Sequence, residues 1–310
     1  MSIEPVDRYD APAHLTRAPT ACPVDPRVSV SERALAVFVM CQPAISVIAA
    51  CYTLLGAYLA GGVSRVFTAR VVTAAVVVAL ALAFSFAINA YCDEEADRLN
   101  EPGRAIPSGR VSRRTARRVA LVLVLLALAA SLILGPLMEL VALGTLLLST
   151  LYSFRLKSTV LLGNAVIGLL NGSIVVYGAL AAGHVALTVW LVALLVFMGT
   201  LAQEILYTVR DREGDARAGI TTISTRYGEQ VAVRAFQIAA FCFVGAAVLV
   251  WIAGVASPRY IFALLPCTML PMAFDVVLLG QRRTKRRVLL ALRVINLVWV
   301  TSLIPILFFR

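Results

Sequence analysis

The sequence predicts an all-α polytopic membrane protein with nine transmembrane helices, and three observations carry that expectation. Hydrophobic residues make up 60% of the 310-residue chain and charged residues only 15%, too few to clothe a soluble domain of this length. The apolar residues stand in nine long blocks, each near the roughly 20 residues that cross a bilayer. Lysine and arginine are concentrated in alternate connections between those blocks.

Taken in order, residues 1–33 hold Pro5, Pro12, Pro19, Pro23 and Pro26 among polar residues. They read as a disordered tail ahead of a transmembrane domain at 34–310. No charged start leads directly into a short apolar core, so no cleaved signal peptide is expected. Spans are expected near 34–60, 71–92, 119–134, 137–154, 160–182, 187–207, 231–253, 260–280 and 288–309. The third and fourth meet at Gly135-Pro136, which reads as a tight turn.

With the N-terminus inside, 24 of the 28 basic residues lie on the inner side and only Arg65, Arg70, Arg259 and Arg310 outside. The positive-inside rule then places the N-terminus and the loops after even-numbered spans in the cytoplasm, in a cell inner membrane, and supports an odd number of spans. The net charge of +11 is a topology signal of the lipid bilayer, and no nucleic-acid partner is expected.

Few residues offer reactive chemistry. Cys22, Cys41, Cys51, Cys92, Cys242 and Cys267 form no CxxC pair and are expected as small buried apolar residues. His14 and His184 are the only histidines, which nearly excludes an imidazole-based metal site or base. The acids are informative instead. Asp93, Glu94, Glu95, Asp97 and Glu101 follow the second span, and Asp211, Glu213 and Asp215 follow the sixth. Asn89, Asp93 and Asp97 stand at i, i+4 and i+8, as do Tyr207, Asp211 and Asp215. Such residues stack along one helix face. Asp93 to Asp211 and Asp97 to Asp215 are both 118 residues, which suggests two related halves whose carboxylate ladders face each other.

Facing carboxylates need a cation between them. Oxygen donors without sulfur or imidazole point to magnesium, manganese or calcium. Magnesium usually completes its shell with water and substrate phosphates. The ions and basic side chains must together balance carboxylates and phosphate. Arg104 and Arg110, in a loop rich in Pro and Gly, and Lys157, at the end of the fourth span, are the basic candidates.

These residues resemble the UbiA superfamily of intramembrane prenyltransferases. Its first motif, NxxxDxxxD, reads here Asn89 to Asp93 to Asp97, and the loop through Arg98-Leu99-Asn100-Glu101-Pro102-Gly103-Arg104 to Arg110 is similar to the family's loop. Its second motif, DxxxD followed by Gly and Thr, reads Asp211 to Asp215, then Gly219, Thr221 and Thr222. Tyr152 and Lys157 fit as well. Residues 161–178 and Gln203-Glu204 through Asp211 look like the branch containing archaeal digeranylgeranylglyceryl phosphate synthase. The resemblance covers about 34–310. It implies nine transmembrane helices around a central cavity and a Mg2+-dependent prenyltransferase acting on a prenyl diphosphate. It implies Asn89, Asp93, Asp97, Asp211 and Asp215 as metal ligands. Lys157, Arg104, Tyr152 and Tyr207 would contact the diphosphate or shield the allylic cation. Tyr91, Phe84, Phe86, Tyr177 and Phe197 are candidates for a dry aromatic lining.

One departure stands out. Many members carry Arg or Lys before the first-span proline, where this chain has Gln42 before Pro43. A charged acceptor would lose a partner there, so two readings stay open beside each other: transfer to a hydrophobic acceptor, or cyclisation of the prenyl cation without acceptor by a terpene cyclase. A transporter or scaffold is a third reading, disfavoured because the acids cluster at one surface rather than at mid-membrane. Glu204, seven residues before Asp211, is expected on nearly the same face as a base or an orienter of Lys157. Asp275, inside the eighth span, is expected either at the site or paired with Arg293.

Overall fold

A computed structural model describes residues 25–281 and 284–309; the expected disordered tail lies, up to residue 24, outside the described residues. Regular structure among the described residues is helical, with one isolated antiparallel bridge between Ala256 and Phe309. Nine of these helices are long and apolar enough to cross a membrane. They run Val30–Gly61, Ala69–Cys92, Arg113–Leu132, Pro136–Leu156, Leu162–Ala182, Leu187–Arg210, Glu229–Ile252, Pro258–Gly280 and Lys285–Ile306. The chain is an integral membrane protein.

Local chemistry explains where the spans depart from their expected limits. The first starts at Val30 rather than 34 because Ser29 and Glu32 form a reciprocal capping box, which satisfies two otherwise free amides. It breaks between Met40 and Pro43, since proline has no N–H to donate and cannot continue a helix. Gln42, at the break, has φ +49° and is the only non-glycine residue with positive φ among those described. The third span begins at Arg113 because the Ser112 hydroxyl accepts from the Thr115 amide at 2.9 Å. Arg113 to Arg118 therefore stand on a helix.

In lipid, helices gain little by burying apolar surface against each other, so close backbone approach at small residues holds a bundle together. The first and fifth spans cross at Gly56 and Gly178, which lie against the carbonyls of Val175 and Thr53. The fifth and sixth meet where Gly172 faces the Ala193 carbonyl and Gly168 faces Phe197. Spans six to nine share a core of Leu206, Phe236, Tyr260, Leu279 and Ile295. A second core, between the first four spans, holds Phe84, Ile88, Ala120 and Leu146. Outward-facing Leu125, Leu140, Leu147, Phe241 and Phe262 are exposed, as a lipid-facing surface requires.

The cysteines depart from expectation. Cys51 and Cys242 are exposed and Cys41, Cys92 and Cys267 only partly covered, because a thiol on a lipid-facing helix surface needs no burial in protein to escape water. Cys22 lies outside the described residues. At one end of the bundle the connections after the second and sixth spans form short helices, Glu94–Asn100 and Arg212–Arg217, that pack against each other. That contact brings the two acid clusters together.

Candidate active site

The spacing suggests an uninterrupted helix through each acid cluster; the structure instead turns the chain once inside each. The second span ends at Cys92, and Asp93 (φ −91°, ψ 4°) joins it to Glu94–Asn100. The sixth ends at Arg210, and Asp211 (φ −94°, ψ 2°) joins it to Arg212–Arg217. Hydrogen bonds run on through both joints. The Asp93 and Asp97 amides donate to the Asn89 and Asp93 carbonyls at 2.8 Å, and those of Asp211 and Asp215 to Tyr207 and Asp211 at 2.9 Å. The one-turn spacing survives the break in the helix, and the same joint occurs in both halves.

Lys157 arrives from a third direction. The fourth span closes in a π-helical turn, Tyr152–Leu156, and the Lys157 amide donates to the Tyr152 carbonyl at 3.0 Å. Such wide turns rotate the following residues, and they recur at functional sites. Here the Lys157 ammonium reaches Asp93 and donates to its carboxylate. Arg104 pairs with Asp97 at 2.9 Å and with Glu101. Arg210 pairs with Asp211 at 2.6 Å and with Glu101 at 3.2 Å. Glu101 thus ties the arginines of the two halves together. The Gly214 amide also donates to Asn100 Oδ1 at 2.9 Å. A Cβ on Gly214 would overlap the Asn100 amide, so a glycine in the second motif lets the two loops meet.

Burial sets the protonation of this end. It pushes Asp97 up to about 6, against the opposing pull of Arg104. It pushes Asp215 up to about 7, against that of Lys157. Burial works against the Lys157 ammonium as well, yet Asp93 beside it holds its pKa above the ordinary value.

The polar residues Gln42, Asn89, Asp93, Asp97, Arg104, Arg110, Tyr152, Lys157, Glu204, Tyr207, Asp211 and Asp215, expected at the site from sequence, line one cavity of about 930 Å³. Its deeper walls are apolar, with Val77, Leu82, Val141 and Val196 among them. A volume of this size encloses a large organic ligand. Of the aromatic candidates, Phe86 and Tyr177 line the cavity. Phe84 packs in the core between the first four spans, Tyr91 lies under the Arg113 guanidinium at 4.4 Å, and Phe197 packs on Gly168. Arg110 stays at the rim, where its guanidinium donates to Ser108 Oγ at 2.9 Å and to the Gly103 carbonyl.

Asp275 is not at the cavity. It is fully buried where the seventh, eighth and ninth spans pack, and both carboxylate oxygens lack a hydrogen-bond partner among the described residues. The pairing with Arg293 is absent. Sequence reasoning also missed Arg210, Glu101 and Asn100. For Arg210 the available signal is its place next to Asp211.

The donor set suits a hard divalent cation. Asn89 Nδ2 donates to Asp93 at 2.6 Å, while Asn89 Oδ1 is buried without a hydrogen-bond partner. Carboxylates and that amide oxygen are ligands of the magnesium class. As the side chains stand, no three histidine, cysteine or carboxylate groups among the described residues converge on one point. Asp93, Asp97 and Asp211 are instead paired with Lys157, Arg104 and Arg210.

Residues 46–301 match the model of the UbiA prenyltransferase family. A digeranylgeranylglyceryl phosphate synthase of Methanopyrus kandleri is 39% identical over 195 residues, covering 63% of this chain and 72% of its own length. One from Halobacterium salinarum is 35% identical over 263 residues, covering 81% and 92%. A solved structure concerned with digeranylgeranylglyceryl phosphate synthase superposes with a TM-score of 0.66 at 22% identity, over 89% of this chain and 99% of that one. A UbiA homologue from Archaeoglobus fulgidus, solved with GPP and Mg2+, superposes with a TM-score of 0.64 at 17% identity, over 87% and 99%.

Proposed function

The chain belongs to the UbiA prenyltransferase family, and from that premise we propose that it joins a prenyl group, supplied as an allylic diphosphate with Mg2+, to the free hydroxyl of a prenylated glyceryl phosphate lipid. The observation that carries this reading is the cavity itself. One continuous space runs from an end of carboxylates and cations into apolar depth, which suits a ligand with a diphosphate head and a hydrocarbon tail. The choice of acceptor rests on the relatives, whose name specifies a glyceryl phosphate that carries two geranylgeranyl groups. Gln42 lines the cavity at the helix break; being neutral, it offers the acceptor's phosphate no charge and leaves that phosphate to the basic side chains at the polar end.

Asn89, Asp93, Asp97, Asp211 and Asp215 would hold the metal. Bound there, Mg2+ supplies positive charge against which the departing diphosphate is stabilised. Lys157, Arg104 and Arg210 exchange their carboxylate partners for phosphate oxygens, a trade of one charge-assisted hydrogen bond for another. Tyr152 and Tyr207 line the cavity and would offer aromatic rings to the allylic carbon, where a ring face lowers the energy of a cation. The apolar walls keep water from that cation. As the bond from the allylic carbon to the diphosphate oxygen breaks, the acceptor oxygen bonds to that carbon and its proton passes to Glu204. We place the acidic end in the cytoplasm, on the charge asymmetry of the loops, in a cell inner membrane.

The test is a product assay on the purified protein with Mg2+, geranylgeranyl diphosphate and geranylgeranylglyceryl phosphate. A diether lipid and free diphosphate are expected only when both substrates are present. A cyclic hydrocarbon formed from the diphosphate alone would overturn the reading.

A pH dependence follows from the same end of the cavity. A raised carboxyl pKa means that the neutral form persists to higher pH. Asp215, near 7, and Asp97, near 6, must lose protons to bind a cation. Lowering the pH from 8 to 6 is therefore expected to weaken apparent Mg2+ affinity, with protons released on binding at pH 6. Calorimetry in buffers of differing ionisation enthalpy reads both, and a pH-independent affinity would contradict the assignment.

A further inference from the structure

Below the acidic end, one wall of the cavity is built from side chains that are hydrogen-bonded to one another. The Trp299 indole N–H, from the ninth span, donates to Gln203 Oε1 of the sixth at 2.7 Å. The Gln203 amide in turn donates to Asn296 Oδ1 at 2.7 Å. The Tyr52 hydroxyl, from the first span, donates to the Trp299 carbonyl at 2.9 Å and lies 2.9 Å from Ser302 Oγ. The Tyr52 and Trp299 rings meet edge to face at 6.0 Å. Gly199, one turn from Gln203, supplies the seat for the indole: a Cβ there would stand 3.4 Å from Trp299 Cη2.

Trp299 is thereby held at its ring nitrogen by Gln203, against its ring by Tyr52 and at its backbone carbonyl by the Tyr52 hydroxyl, from two other spans. Such a part-buried hydrogen-bonded network resists rearrangement, because leaving one member unpaired is costly. Tyr52, Gln203, Asn296 and Trp299 all line the cavity. Their place relative to the acidic end follows from the sixth span. Asp211, Tyr207 and Gln203 stand at one-turn intervals, so Gln203 lies about 12 Å along the helix from Asp211 at 1.5 Å per residue. A prenyl chain whose diphosphate sits at Asp211 descends along Tyr207 and Gln203 and meets the indole.

Resting on the prenyltransferase reading, we propose that Trp299, held by Gln203 and Tyr52, is the residue that sets the longest prenyl chain the cavity accepts. An indole tied at its nitrogen to Gln203 and packed against the Tyr52 ring resists turning aside to admit a longer chain, whereas a loosely packed aromatic would not. The ring is larger than a C5 isoprenyl unit, so removing it makes room for at least one more. Gln203 is a positioning residue in this scheme, since it acts through the indole.

The experiment compares C15, C20 and C25 allylic diphosphates on the purified full chain with Mg2+. It measures kcat/KM in the transfer assay and, separately, Kd by calorimetry without acceptor. Trp299→Ala is expected to raise the preference for C25 over C20 at least tenfold, in both measurements. Trp299→Phe, which keeps an aromatic ring over Gly199, is expected to shift it less than threefold. Gln203→Leu, which frees the indole without removing it, is expected to fall between. If Trp299→Ala does not fold, Gln203→Leu still decides. An unmoved preference in the folded variants overturns the inference, whether or not the wild type transfers. A shifted Kd ratio in a protein that transfers to no acceptor supports the inference and overturns the prenyltransferase reading on which the acceptor rests.

Discussion

Asp93→Asn is expected to lower kcat/KM by about three orders of magnitude or more, comparable with losing a key transition-state charge contact. Asp93 is buried at the joint between the second span and Glu94–Asn100. It accepts from Lys157 and from Asn89. Neutralising it removes both a metal-binding charge and the partner that holds Lys157. Breaking one side of a buried ion pair costs about 3–5 kcal/mol in stability, so loss of activity alone would not identify the cause. The double variant Asp93→Asn, Lys157→Met separates the two. It restores the balance of charge and is expected to recover much of the thermal midpoint while activity stays lost. Lys157→Met alone removes the ion-pair partner of Asp93 but leaves its hydrogen bond from Asn89, and is expected to retain Mg2+ binding while diphosphate affinity falls. Activity within tenfold of wild type in Asp93→Asn would remove the aspartates from the metal site.

Much of this site was legible because its chemistry is written in the spacing of acids. Two ladders 118 residues apart, each closing an apolar span, locate the polar end of the cavity without any structure. The joints at Asp93 and Asp211 were not legible. One residue in a near-helical conformation leaves no periodicity signal, and nothing in Asn89-Ala-Tyr-Cys-Asp93 separates a straight helix from a turned one. Arg210 and Glu101 were missed for a different reason. Basic and acidic residues in loops ordinarily report topology and solvation, and only the fold brings Glu101 to 3.2 Å from Arg210. The lining was half-legible. Of the five aromatic candidates only Phe86 and Tyr177 line the cavity, since the helix phase that turns Tyr177 inward and Tyr91 toward Arg113 depends on how neighbouring spans pack. Asp275 shows the converse. An acid inside a span is a strong signal that something is unusual, yet its position among the seventh, eighth and ninth spans separates it from the cavity.

Gly178→Ala is expected to be the most damaging single substitution away from the site. A Cβ there would overlap the Thr53 carbonyl oxygen, and the reciprocal contact of Gly56 with the Val175 carbonyl lies on the same crossing. Both obstacles are backbone, so no rotamer change relieves them and the first and fifth spans must move apart. Overpacking a tight contact typically costs about 1–3 kcal/mol, and separating this crossing also loosens its twin, which sets the expectation at the upper end. That corresponds to a fall of roughly 6–12 °C in the thermal midpoint. The consequence reaches the cavity, because the fifth span carries Asn171, Ile174 and Tyr177 into its wall and the first carries Tyr52. A displaced crossing is therefore expected to weaken prenyl diphosphate binding along its hydrocarbon while leaving affinity for inorganic diphosphate nearly unchanged. Gly144→Ala is the matched control, since a Cβ on that exposed fourth-span glycine meets nothing within 4 Å. Equal midpoints for the two variants would show that the crossing has slack, and that the small residues at Gly56 and Gly178 do not set the distance between these spans.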